Sequence, residues 1–161
     1  MSSTPQQQIV PARQTNPGEM KMVGFSGEFN GPAGIPKLWE KFVPYLDKEK
    51  TPGQVGDVAW GVIFGADVNG KFKYMTAVQV DNFSPVPSEL ERLTISAQTY
   101  NVFEHRGNLD QLAETIGQIC RTGVFHAPVF ADQVGMMEYY GPKFDPMTGT
   151  GDMEVWVPSQ K

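Results

Sequence analysis

With Cys120 as its single cysteine, the 161-residue chain has no internal disulfide. That excludes the disulfide-stapled class of small domains and fits a reducing compartment. Basic charge is also scarce: 13 Lys and Arg stand against 18 Asp and Glu, for a net charge of -5, and they form no run. A phosphate backbone would find no basic stripe, so direct nucleic-acid binding is not expected. No segment reaches the roughly 18 consecutive apolar residues of a membrane helix. Met1 to Gln8 is polar, without the basic and apolar regions of a secretory signal. The expected location is the cytoplasm.

Catalytic signatures are missing as well. There is no Gly-x-Ser-x-Gly elbow, His-Glu-x-x-His pair, phosphate loop or dinucleotide fingerprint. His105 and His126 stand apart from Cys and carboxylate clusters, so they read as surface or hydrogen-bonded core histidines, and no metal or other cofactor is expected. Cys120 falls among the apolar positions of a helical pattern and reads as a small buried hydrophobe.

What remains is enough for one core: 40% hydrophobic and 11% aromatic residues in a chain of single-domain length. Two segments have helical spacing. In Ile35 to Lys48, Leu38, Phe42 and Leu46 recur every four residues behind Pro36, while Pro44 predicts a kink or an early end. The second begins at Asn108, an N-cap with Gln111 three residues on. It continues through Leu109, Leu112, Ala113, Ile116, Ile119 and Cys120, and stops at Gly123.

Strand patterns occupy Lys21 to Phe29, Val58 to Gly65, Lys71 to Asp81, Leu93 to His105, Met136 to Gly141 and Asp152 to Pro158. Asp67 to Gly70 supplies turn chemistry for a hairpin between the second and third. The order is strand, helix, strand, strand, twice over, joined by the Pro-rich stretch Ser84 to Ser88. An offset of 78 positions lays Phe25 on Phe103, Leu38 on Ile116, Trp60 on Glu138 and Val78 on Trp156. The expected fold is therefore α+β, one domain over residues 1–161. It is a tandem duplication of a strand-helix-strand-strand unit, with repeats at about 6–82 and 90–159. A curved antiparallel sheet should carry both helices on one side and a central cleft between the halves.

In Met136-Met137-Glu138-Tyr139-Tyr140-Gly141 a carboxylate interrupts an apolar, aromatic strand. Alternation puts Glu138 on one face with Met136 and Tyr140: on an edge strand it would be a solvated carboxylate or one paired with Lys or Arg, whereas on an interior face it needs a partner or a function. Trp60, Tyr74, Phe103, Tyr140 and Trp156 complete the candidate ligand-binding set around Glu138. Such a group suits a lipophilic cation through cation–π attraction and one counter-charge. The single offset further predicts that Trp60 and Glu138 face one another across a pseudo-two-fold axis.

Three stretches carry a family resemblance: GIPKLWEKFVPYL (Gly34 to Leu46), YNVFEHRGNLDQLAETIGQI (Tyr100 to Ile119), and MEYYGPKFDP through EVWVP (Met137 to Pro158). In these the chain resembles the GyrI-like effector-binding domain, also found at the C-terminus of AraC-type activators. The resemblance implies a tandem duplication with a ligand cleft between its halves, and a Glu, here Glu138, that meets hydrophobic cations. Where the family has a Trp-Leu-Pro-like motif after the second helix, this sequence reads Val124-Phe125-His126-Ala127-Pro128.

With no DNA-binding helices ahead of it in this sequence, the expected function is a stand-alone small-molecule sensor or sequestering module. Its expected partners are the ligand and, beyond that, a second copy or a separate regulatory protein, with no membrane. The resemblance leaves two alternatives: a hydrolase of reactive small molecules using Glu138 with help from Tyr140, and a protein-interaction module of the gyrase-inhibitor type.

Overall fold

The computed structural model describes residues 10–31, 33–46, 51–65, 71–121, 134–145 and 148–159, without the side chains of Cys120 and Arg121. The elements run β1 (Arg13–Thr15), β2 (Met20–Phe29), α1 (Ile35–Phe42), β3 (Ala59–Phe64), β4 (Phe72–Val80), β5 (Glu91–Ile95), β6 (Tyr100–His105), α2 (Leu112–Arg121), β7 (Val134–Tyr140) and β8 (Met153–Pro158). All eight strands join one antiparallel sheet in the order β1-β6-β8-β7-β3-β4-β2-β5. The protein is thus α+β, with an eight-stranded sheet and two α-helices among the described residues.

Helix α1 starts at Gly34, whose φ of 94° suits glycine, and carries Pro36 in its first turn. It ends early, as Pro44 predicts: after Phe42 the chain tightens into a 3-10 turn at Val43–Tyr45. Before α2, Asn108 and Gln111 form a reciprocal capping box on the 3-10 turn Leu109–Gln111. The expected strand Leu93 to His105 is two strands, because the polar stretch Ser96–Thr99 leaves β5 beside β2 and β6 beside β8. Strands β3 and β4 pair as expected, whereas their turn Asp67 to Gly70 lies outside the described residues, as do Gly123, His126 and Val124 to Pro128.

Register assigns the faces. One row crosses six strands: Phe25, Thr76, Gly61, Glu138, Val155 and Phe103 are successive cross-strand partners. They share one side of the sheet. The α1 core, with Phe25, Phe42, Val23, Val78 and Leu38, lies at one end of this row. The α2 core, with Phe103, Ile119, Val155, Met136 and Ile116, lies at the other. Both helices therefore cover the same face, and Gly61 and Glu138 fall between them.

The opposite face has its own core, in which Met20, Met22 and Ile95 from one end of the sheet meet Tyr100 and Val102 from the other. Chain geometry requires this curl. In the sheet order β5 and β6 are six spacings apart, or about 29 Å if the sheet were flat. Yet the link from Ile95 to Tyr100 spans at most about 18 Å.

The single offset of 78 does not survive the register. Helix-side residues are odd-numbered on β3 (Gly61, Ile63) and even-numbered on β7 (Met136, Glu138). An even offset therefore carries a residue through the sheet. Gly61, not Trp60, is the neighbour of Glu138.

Candidate functional site

Glu138 stands near the middle of β7, on one of the two central strands, with its carboxylate on the helix side. Tyr74, from β4, donates its hydroxyl to Glu138 Oε1 at 2.6 Å, and Tyr140, two residues along β7, donates to the same oxygen at 2.9 Å. Trp39 of α1 then donates its indole Nε1–H to the Tyr74 oxygen at 3.0 Å. The chain of donors thus runs from α1 through β4 to the carboxylate. Edge-on packing of Trp39 against Tyr140 (5.6 Å between centroids) and of Tyr140 against Phe144 (4.9 Å) continues the aromatic wall.

Gly61 makes the cluster sterically feasible. A Cβ there would overlap the Tyr74 hydroxyl and come within 2.6 Å of Glu138 Oε1. Only a residue without a side chain lets the hydroxyl cross β3 to reach β7.

The electrostatics follow from the enclosure. Desolvation raises the pKa of Glu138 above the ordinary carboxylate value, and the two tyrosine hydroxyls partly oppose the rise. Burial also raises Tyr74 and Tyr140, reinforced by the neighbouring carboxylate, so both keep their protons for donation. Glu138 nevertheless retains partial exposure, unlike the sealed Tyr74 at 1%. Among the described residues Glu138 is thus closely surrounded without being sealed, the geometry of a recess rather than of a closed core. No Lys or Arg pairs with it among the described residues.

Of the six expected ligand-binding residues, the structure brings Glu138, Tyr74 and Tyr140 together. Phe103 shares their face but is fully buried in the α2 core, two strands away. Trp60 and Trp156 require correction. They lie on the other side of the sheet, where their rings meet edge-on at 4.9 Å and pack with Tyr139. Their register partners, Tyr139 and Met137, alternate with Glu138 and so point away from it.

The expected set omits Trp39, Gly61 and Phe144. Trp39 extends the apolar stripe as i+4 from Ile35, and a glycine inside a strand signals close approach. Those patterns could have flagged the first two.

His105 is a satisfied core histidine, with Nδ1 2.7 Å from Thr115 Oγ1 and Nε2 2.8 Å from the Asn108 carbonyl. Among the described residues no three or more His, Cys, Asp or Glu gather as a metal site, and no helix is long and apolar enough to cross a membrane.

The chain thus presents a curled antiparallel sheet with two helices on one face and a hydroxyl-held carboxylate between them. The chain belongs to the GyrI-like small-molecule-binding domain family, whose model matches residues 14–160. It is 29% identical over 126 residues to the transcriptional regulator BrlR of Pseudomonas aeruginosa. That match covers 77% of this chain and 46% of BrlR, so the chain spans about half the length of this relative. Among solved structures, SAV2435 bound to tetraphenylphosphonium superposes with a TM-score of 0.66 at 21% identity, covering 92% of this chain and 93% of that one. An integron cassette protein from the mobile metagenome of Vibrio cholerae gives 0.61 at 18% identity, covering 92% and 95%. At these identities the structures share a fold.

Proposed function

We propose that the chain is an effector-binding module for hydrophobic, cationic aromatic compounds, acting in the cytoplasm as a sensor or sequestering protein. Glu138 is the counter-charge, and Tyr140 and Trp39 are the aromatic surfaces. We also read the two strand-helix-strand-strand units as copies of one. The observation that carries the proposal is the Glu138 carboxylate: held by two hydroxyls among aromatic side chains, without a cationic side chain paired to it among the described residues. A desolvated carboxylate is costly to keep unpaired, and a ligand cation offsets that cost while its aromatic body covers the rings. The tetraphenylphosphonium complex of SAV2435, a lipophilic cation on the same fold, supports the ligand class.

The test is Glu138→Gln, which preserves shape and can still accept from both tyrosines. A cationic dye should lose about 1 to 3 kcal/mol of affinity, while a neutral analogue of the same shape is unaffected. Equal losses for both would remove the counter-charge role.

A further inference from the structure

The two oxygens of Glu138 are treated differently by the fold. Tyr74 and Tyr140 both donate to Oε1, at 2.6 and 2.9 Å. The two hydroxyls also lie within hydrogen-bond reach of each other, and Trp39, a donor only, gives its N–H to the Tyr74 oxygen. Gly61 holds open the space in which this happens. Oε2 accepts no hydrogen bond from any described residue, although a carboxylate oxygen has two lone pairs to fill. Among the described residues the buried side-chain atom left unpaired is Gln54 Oε1, and Glu138 Oε2 is not one. Among the described residues, then, one carboxylate oxygen carries both hydrogen bonds and the other, on a side chain that keeps partial exposure, carries none.

We propose that the recess selects cations bearing an N–H, such as protonated amines and amidines, over quaternary cations of the same shape that have none, with Glu138 Oε2 as the acceptor. This rests on the binding function proposed above. Any cation gains from the charge of Glu138, but only an N–H cation also fills the open lone pairs. In a water-poor site that bond outweighs its equivalent in solvent. A charge-assisted hydrogen bond is worth roughly 10- to 100-fold in affinity. The additional methyl of a quaternary ion works against it by about fourfold through apolar burial. The net preference expected for the N–H ligand is roughly 3- to 30-fold.

The experiment titrates the full chain with three naphthylmethyl ligands near neutral pH by calorimetry: the protonated dimethylamine, its trimethylammonium counterpart and the neutral isobutyl-type isostere. In the unaltered protein the dimethylamine should bind tightest, the trimethylammonium next and the neutral compound weakest. In Glu138→Gln, confirmed as folded by circular dichroism, the gap between the two cations should close. If the trimethylammonium compound binds as well as or better than the dimethylamine, with both better than the neutral isostere, the N–H selection is wrong and the counter-charge function stands. If neither cation outbinds the neutral isostere, both readings fail. The first comparison uses only the unaltered protein, so a misfolded variant does not prevent a decision.

Discussion

A methyl group placed at Gly61 would collide with the Tyr74 hydroxyl and press on Glu138 Oε1, so the smallest substitution available at this position tests how the cluster is built. Gly61→Ala should destabilise the protein by about 1 to 3 kcal/mol through overpacking and weaken cation binding by displacing the hydroxyl. Urea melts and dye titration measure the two effects separately. Glu138 also makes a pH prediction. Its pKa is raised on folding, so between the ordinary carboxylate value and the raised one the folded state holds more protons than the unfolded state. Stability therefore falls as pH rises through that window and levels off above it. Cation affinity runs the opposite way, increasing as the carboxylate ionises. In Glu138→Gln both dependences should flatten; urea melts and cation titrations across the acidic range that keep their slope in the variant would assign them to other groups. Glu138 and Tyr140 were legible in the sequence because a carboxylate inside an alternating apolar strand must face something. Trp60 and Trp156 were misplaced because periodicity reveals that faces alternate but not which residue of the facing strand lies opposite.

Helix α1 is short, ending at Phe42, yet it supplies the indole that anchors Tyr74. Trp39 is also the tryptophan at the recess, whereas Trp60 and Trp156 sit on the far face. Trp39→Phe should therefore remove most of any ligand-induced change in tryptophan fluorescence while calorimetry still detects binding. Quenching that survives in the variant would mean that the ligand lies elsewhere. At this scale the sequence served well where a local rule decided the outcome. Pro44 ended α1, the Asn108–Gln111 box opened the second helical segment, and most strands fell within a residue or two of their expected bounds. It failed between Leu93 and His105, where a continuous β-like composition hid a crossover from one end of the sheet to the other. Partner choice there depends on long-range pairing, which composition does not encode.

Across the whole molecule, β3 and β7 form the seam between the two strand-helix-strand-strand units, and the candidate site spans it: Trp39 and Tyr74 come from one side, Glu138 and Tyr140 from the other. The repeated order was readable from periodicity, while the curl and the seam's register were not, since both depend on residues far apart in the chain. A further asymmetry lies in the edges. β1 leads into β2 of the first half but pairs with β6 of the second, and β5 leads into β6 of the second half but pairs with β2 of the first. Each half thus holds a strand whose covalent continuation belongs to the other, as in two hands with fingers interlaced. The halves cannot part like a hinge; separating them requires peeling β1 or β5 from its edge first. Backbone amides along β3 and β7 should then exchange with solvent near the limit set by global unfolding, and native-state hydrogen exchange showing early sub-global opening of the seam would contradict this. A molecule laced in this way should have no soft axis along its seam, and opening it there should cost nearly as much as unfolding it.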